Sequence, residues 1–275
     1  MADMIYIGVI TPTYNRPDLL RNLHLSISAS TDSKAWKHYV VDDGSVVNYQ
    51  PTVDELSSGA SHFVYHRSEN SGPLVARNRA IDMAMKDGCD YLCFLDDDDH
   101  LLEPGLDAVV SAATTNRDCD WLIFRTAKQG ERFVDSLSPP KKVDWLQDAI
   151  LTKTIPSDSF HVVSSGLIGQ TRFSEGARNQ REWTFFIELH KKQPSILLFS
   201  SALQGKMYLD GGLTAKTDRR AYSIEQLSNN VERAYRYWVA APTSPKLIIN
   251  LVRQVASFPL KATLGRLRST NREAV

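Results

Sequence analysis

Four adjacent aspartates, Asp96-Asp97-Asp98-Asp99, follow the apolar run over 91–95 with no spacer between them. An acidic run is ordinarily a solvated face. At the mouth of a buried strand, however, four neighbouring carboxylates repel one another strongly, and a cation offsets that cost. Hard divalent ions such as Mn2+ or Mg2+ take oxygen ligands and commonly bridge one or two carboxylates to a substrate diphosphate. A metal–diphosphate site is the chemistry this position suggests. A second acidic pair opens the segment Asp42-Asp43-Gly44-Ser45, again after a short apolar run. By itself the Asp-Gly step is a turn signal. At the same sheet edge, one of these carboxylates can instead accept hydrogen bonds from a nucleobase or ribose, and Asp43 is the better candidate for the base.

Both acidic segments need strands to carry them. Strands are expected over 5–10, 39–41, 62–66 and 91–95. A helix begins at Pro17, with Leu19, Leu20, Leu23 and Ile27 as its apolar stripe, and others are expected over 76–85 and from Glu103. Repeated strand–helix units imply an α/β fold with a parallel sheet covered on both faces. Ligands bind such sheets beyond the carboxyl ends of the strands. The segments Thr11-Pro12-Thr13-Tyr14-Asn15, Asp42–Ser45 and Asp96–Asp99 each follow a strand, so all three are expected to meet along one edge.

Beyond Asp120 the alternation weakens. Strands are expected over 121–124, 161–168 and 196–199, and helices over 143–151 and 181–190. This half is expected to shape the second substrate's site, with His161 and Trp145 as acceptor contacts or simply core and rim residues. Ser223-Ile224-Glu225-Gln226 fits a capping box, opening a helix with Leu227, Val231, Ala234 and Trp238 on one face. Pro242 and Pro245 mark a hinge after it. The organisation expected is residues 1–115 as a nucleotide-sugar half, 116–222 as an acceptor half of the same domain, and 223–275 as a helical extension.

The 275 residues bury a core without disulfide staples, and 32 basic residues balance 32 acidic ones, leaving no global field to attract nucleic acid. From Lys246 to Val275, six Lys or Arg stand against one Glu, interspersed with Leu247, Ile248, Leu251, Val255 and Phe258. Such a basic amphipathic segment can lie on an anionic membrane, cap the domain or mediate dimerisation. The first residues read as a strand rather than a signal peptide, and no run approaches the roughly 18 apolar residues of a membrane span. A cytoplasmic protein is expected, peripheral at the inner face of the membrane if the tail binds there. Cys89, Cys93 and Cys119 have no paired metal spacing and read as buried, reduced thiols. His62 and His66 lie four apart in an expected strand and make no helical ligand pair.

Taken in order, VITPTYNR, YVVDDGS, NSGPLVARN and YLCFLDDDD, within residues 5–105, resemble the family-2 glycosyltransferases of the GT-A fold. The resemblance implies a Rossmann-like, mostly parallel sheet flanked by helices. It implies an inverting, non-processive transfer of one sugar from a nucleoside-diphosphate sugar, a UDP-sugar in first place, to a hydroxyl acceptor that is a saccharide or lipid-linked saccharide. Carried over by position, Thr11, Tyr14 and Arg16 line the nucleotide pocket and Asp43 meets the base. Asp96 and Asp98 form the DXD pair that holds Mn2+ or Mg2+, with Asp98 the direct ligand and Asp97 beside the donor. Asn70, Gly72, Arg77 and Asn78 match the family's N-x-G-x-x-x-A-R-N stretch, with Arg77 a donor contact.

Two departures from the family pattern stand out. The general base, usually the Asp of an Glu-Asp pair opening a helix, falls on Glu182, with Arg181 where the Glu would be; Glu175 and Asp158 are the alternatives. Many GT-A enzymes also complete the metal shell with a late histidine, whereas the last histidine here is His190. Lys216, Arg219 and Arg220 offer themselves to the diphosphate instead. A catalytically impaired sugar-nucleotide-binding scaffold is the alternative from another class. A sugar-phosphate nucleotidyltransferase fits less well, because TPTYNRPD is not its Gly-rich basic loop.

Overall fold

The computed structural model describes residues 4–58, 62–127, 139–175, 181–206 and 224–256. The chain forms two compact units, Met1–Met207 and Tyr208–Val275.

In the first unit, strands β1 (Ile7–Thr13), β2 (Trp36–Asp42), β3 (Phe63–Arg67) and β4 (Tyr91–Phe94) alternate with helices α1 (Pro17–Ala29), α2 (Gln50–Ser58) and α3 (Pro73–Lys86). There follow β5 (Asp99–Leu101), α4 (Gly105–Thr115), β6 (Trp121–Ala127), β7 (Lys141–Lys142) and a π-helical turn, Leu146–Leu151. β8 (Ser159–Ser164), α5 (Ser165–Ile168), α6 (Glu182–His190) and β9 (Ile196–Lys206) complete it. The sheet order is β3-β2-β1-β4-β8-β6-β9-β5, with β7 paired to β9. β1 to β4 are parallel, as expected of the first half, while β8 is antiparallel to both β4 and β6. The whole is a mixed α/β sheet flanked by helices.

Three expectations shift. β1 runs on through Thr13 instead of ending at Ile10. The Leu95 N–H bonds the Ile10 carbonyl and the Asp43 N–H bonds the Thr13 carbonyl, so even positions of β1 address β4 and odd positions β2. Pro12, which has no N–H, therefore faces the β4 side beyond the last β1–β4 pair, Ile10 with Phe94. The strand expected over 161–168 ends at Ser164, whose hydroxyl accepts from the Leu167 N–H and starts the short α5. The strand expected over 196–199 continues to Lys206, its polar second half paired with β5.

Gly8 lets α3 sit close on this sheet: a Cβ there would meet Leu92 Cδ2 at 2.6 Å and Ala84 Cβ at 3.2 Å. On the opposite face Ile7, Val9, Leu23, Ile27 and Leu106 are buried in the main core. The three cysteines are buried and free.

A histidine pair lies inside this layer. His24 and His38 join Nδ1 to Nδ1 at 3.1 Å, and His38 Nε2 pairs with Thr11 Oγ1 at 2.9 Å. Burial lowers the His24 pKa to about 4 and that of His38 well below its ordinary value. The unfolded chain binds these protons below about pH 6.5 while the fold refuses them. This contribution is thus present above pH 6.5 and is lost as pH falls toward 4. Asp97 and Asp99, raised to about 6 and about 7 chiefly by burial, run the other way, and their contribution is lost as pH rises through those values. A comparison isolates His24. In His24→Asn, the stability lost between pH 7 and pH 5, measured by urea unfolding, is expected to shrink by about 2 kcal/mol. An unchanged loss would rule the histidine out as its source.

The second unit contains α7 (Ile224–Ala240) and a helix over 245–256, α8. Ala234 and Tyr237 of α7 are buried, while Ile248, Ile249, Val252 and Val255 of α8 are exposed. Ser223 and the side chains of Glu225 and Gln226, the expected capping box, lie outside the described residues. No helix among the described residues is long and apolar enough to cross a membrane.

Candidate functional site

The chain leaves β1 toward β2 and β3, then crosses back to β4 on the other side of β1. The crevice between the carboxyl ends of β1 and β4 is the switch point at which open α/β sheets bind ligands. Tyr14 to Arg16 and the aspartate run meet there.

The four aspartates fold into one turn, closed by the Asp99 N–H on the Asp96 carbonyl at 3.0 Å. Two carboxylates point inward. Asp97 accepts from Thr13 Oγ1 at 2.8 Å and from Arg16 Nη1 at 3.1 Å; Asp99 accepts from the Asp96 N–H at 2.8 Å and from Gln204 Nε2 at 2.6 Å. The other two look outward, with the Asp96 side chain 48% exposed and that of Asp98 27%. Asp96 pairs with Arg77, and Asp98 lies 3.3 Å from Arg16. Burial works to raise the Asp96 carboxyl, but the Arg77 guanidinium outweighs it and the net shift is downward. Asp98 is raised by burial and by the Asp96 charge. Burial works to lower Lys206, at the end of β9, but the charges of Asp99, Asp158 and Asp96 hold it above its ordinary value. Arg16, Arg77 and Lys206 thus already offset part of the repulsion among the carboxylates.

This division bears on a metal. Among the described residues no cluster of three or more His, Cys, Asp or Glu is arranged to hold one. Asp96 and Asp98 nevertheless present oxygen ligands on the open side of a single turn. They fit a hard cation whose remaining ligands are diphosphate oxygens and water.

Asp42 and Asp43 part company. Asp42 is buried and structural, accepting from the Ser45 N–H at 2.9 Å and the Tyr65 hydroxyl at 2.7 Å. The Asp43 carboxylate accepts the Ser71 N–H at 2.7 Å and the Gly72 N–H at 2.9 Å, binding the start of α3 to the end of β2. Gly44 completes this junction at φ +75°, where an added Cβ would stand 2.6 Å from the Asn70 nitrogen. Asn70 donates to the Asp43 carbonyl, and Asn78 exchanges hydrogen bonds with the Phe173 backbone.

Arg77 is the connecting residue. Its side chain is 11% exposed, and the guanidinium lies 5.8 Å from the Phe173 ring centroid. One arm holds Asp96; the other lies 3.5 Å from Glu182 Oε1, at the first turn of α6. Asp96, Arg77, Glu182, Asp158, His161 and Lys206 all line one cavity of about 330 Å³, with Phe94, Phe173 and Phe186 among its walls.

Of the residues expected from sequence, the structure thus gathers Arg16, Arg77, Asp96, Asp97, Asp98 and Glu182. Tyr14 lies half exposed in the same loop. Thr11 is fully buried and tied to His38, whereas Thr13 is the hydroxyl at the carboxylates. Asp158 pairs with Lys206 at 3.4 Å inside the cavity, Glu175 is exposed, and Trp145 is buried beside Trp121. Lys216, Arg219 and Arg220 lie outside the described residues. Sequence reasoning missed Thr13, Tyr49, Gln204 and Lys206. Tyr49 supports the turn by accepting the Arg16 N–H at 2.7 Å and pairing with Thr13 at 2.8 Å.

Comparison with known proteins gives a consistent result. The family model described as glycosyl transferase family 2 matches residues 8–167. GalNAc(5)-diNAcBac-PP-undecaprenol beta-1,3-glucosyltransferase of Campylobacter jejuni is 24% identical over 225 residues, 79% of this chain and 70% of that protein. The putative teichuronic acid biosynthesis glycosyltransferase TuaG of Bacillus subtilis is 34% identical over 99 residues, 34% of this chain and 36% of that one. S. aureus TarS residues 1–349 in complex with UDP-GlcNAc superimposes with a TM-score of 0.70 at 19% identity, over 94% of this chain and 74% of that one. The mannosyltransferase PcManGT from Pyrobaculum calidifontis, in complex with GDP-Man and Mn2+, gives 0.62 at 12% identity, over 100% of this chain and 76% of that one. At these identities the structural likenesses show the fold, the GT-A arrangement.

Proposed function

Because the chain belongs to glycosyl transferase family 2, we propose that it transfers a single sugar, with inversion, from a nucleoside-diphosphate sugar to a hydroxyl of a saccharide or lipid-linked saccharide. A UDP-sugar is the favoured donor. The observation that carries this reading is the Arg77 bridge. It joins Asp96, at the metal–diphosphate turn, to Glu182, the candidate base, along one cavity.

In this reading residues 1–115 take the donor and 116–222 the acceptor. Tyr14, Arg16 and Asp43 receive the nucleoside, and Asp96 and Asp98 would hold Mn2+ or Mg2+ against the diphosphate. When bound, that ion supplies positive charge for the departing diphosphate. Arg77 and Lys206 add fixed positive charge beside it. Glu182 accepts the proton of the acceptor hydroxyl as the new C–O bond forms and the bond to the diphosphate breaks. A single displacement inverts the anomeric carbon and needs no enzyme nucleophile. The names of the two curated relatives, one naming an undecaprenol-linked saccharide and the other teichuronic acid biosynthesis, support cell-surface polysaccharide or glycolipid synthesis as the setting. The exposed apolar residues of α8, with Lys246 ahead of them and Arg253 among them, support peripheral contact with a membrane.

Melting temperatures with UDP, GDP, dTDP, CDP and ADP, each with and without Mn2+, test the donor site on wild type and Asp98→Ala. One diphosphate is expected to stabilise the wild type with Mn2+, by about 2.7 kcal/mol at a hundredfold excess over Kd, and to lose that gain in the variant. No stabilisation by any of the five overturns the donor assignment.

A further inference from the structure

The donor and base readings assign no role to His161, a polar group of the cavity wall. His161 lies on β8, far in sequence from the aspartate turn, and its Nδ1 faces the Trp121 indole Nε1 at 3.1 Å. An indole nitrogen only donates, so Nδ1 carries the lone pair and the ring proton sits on Nε2. Burial first, and then the Lys206 charge, lower the His161 pKa to about 3, so the ring is neutral at any physiological pH. Its surroundings hold it rigid. The ring centroid is 4.5 Å from that of Phe186 and 5.6 Å from that of Trp121, and Trp121 is itself fully buried and stacked against Trp145 and Phe186. His161 lines the cavity, and the hydrogen bond its ring makes among the described residues is the one that Nδ1 accepts from Trp121.

We propose that His161 Nε2–H is a fixed hydrogen-bond donor to a pyranose hydroxyl in this cavity and helps to select a sugar ring as the group bound there. The neighbouring walls suit such a ring. Phe94 and Phe186 are only partly buried and offer apolar faces, while Asp158 and Lys206 supply an acceptor and a donor in the same lining. A pyranose has this mixed character, with C–H groups on its faces and hydroxyls at its edge. The proton inventory matters: an imidazole able to switch tautomer would serve equally as an acceptor, but the indole removes that choice. The sugar ring can come from the donor or from the acceptor, and the inference rests on the donor reading given above.

The test separates these sources. UDP, a panel of UDP-hexoses and UDP-N-acetylhexosamines, and methyl pyranosides added with UDP are titrated calorimetrically with Mn2+ into wild type, His161→Phe and His161→Gln. UDP binding is expected to be equal in all three. In His161→Phe, the preferred UDP-sugar or the preferred pyranoside binds five- to tenfold more weakly, the size of one neutral hydrogen bond. A loss confined to the UDP-sugar assigns the contact to the donor; one confined to the pyranoside assigns it to the acceptor. His161→Gln, with an amide N–H near the position of Nε2, restores most of the loss, which a merely structural role would not produce. Nitrogen NMR of the wild-type ring supplies a readout independent of any variant. It should show the Nε2–H tautomer and a shift of that proton on sugar binding. Equal sugar affinities in wild type and His161→Phe, or the Nδ1–H tautomer, overturn the assignment of His161 alone. Failure of wild type to bind UDP or any UDP-sugar overturns the donor reading and this inference with it.

Discussion

Arg77→Met is expected to lower kcat/KM for transfer by about 10²–10³, the scale associated with removing one fixed donor beside developing negative charge. Methionine fills a similar length and keeps contact with Phe173, so the change isolates the guanidinium. Its loss releases two carboxylates at once, because Asp96 and Glu182 both depend on it. Removing one partner of a fully buried pair costs 3–5 kcal/mol, but Asp96 and Glu182 are each nearly half exposed and water screens them. A stability loss of about 1–2 kcal/mol is expected instead, small enough for the variant to be assayed folded. Arg77→Lys should recover stability more than activity. An ammonium reaches one carboxylate, whereas the planar fork spans two. Steady-state kinetics beside urea unfolding checks the separation. Activity and stability falling in the same proportion in both variants would mean that Arg77 only holds the fold together.

The sequence revealed the turn that carries the carboxylates but not the partners that sort them. Asp96 to Asp99 announce themselves by following an apolar strand, and a parallel sheet brings Asp43 and Arg16 to the same edge. Both inferences depend on local pattern. The inward and outward split depends on residues far away: Thr13 and Arg16 reach Asp97 across more than eighty positions, and Gln204 reaches Asp99 across 105. No periodicity encodes those pairings. β9 was hardest to see because its second half, Ser200 to Lys206, is polar and paired on the far side of the sheet, so it lacks the apolar run by which a buried strand is recognised. That omission cost both Gln204 and Lys206.

Thr11 and Thr13 illustrate a different difficulty. The alternation Ile7, Val9, Thr11, Thr13 runs along one face of β1, and ending the strand at Ile10 put Thr11 at its mouth. Three more residues of strand bury Thr11 against His38 and bring Thr13 to the acidic turn. A strand end misjudged by a few residues moves the site to a different side chain of the same type. Glu182, by contrast, is implied by the family resemblance, as the counterpart of the Asp in a Glu-Asp pair that opens a helix, and α6 does begin there. Its link to Arg77 spans 105 positions and became visible only when α3 and α6 were seen to share a cavity.

Glu182→Gln is expected to cut kcat by about 10²–10⁴, the range that a positioned general base contributes, while leaving the affinity for the nucleoside diphosphate unchanged. The amide keeps shape and polarity at the first turn of α6 but cannot take a proton. Because Arg77 Nη1 and Glu182 Oε1 are 3.5 Å apart, the two side chains should act as a unit. In a double-mutant cycle, Arg77→Met added to Glu182→Gln then costs less than it does in the wild type. A rival base sits in the same cavity. Asp158 is held by Lys206 at 3.4 Å, and Asp158→Asn would show the large kcat loss if it carried the proton. The two assignments therefore predict opposite orders of severity. Full activity in Glu182→Gln with loss in Asp158→Asn would move the base from α6 to the loop before β8. Loss in Glu182→Gln alone, with nucleotide affinity intact, would place proton transfer at the far end of the Arg77 bridge, opposite the aspartates that face the leaving diphosphate.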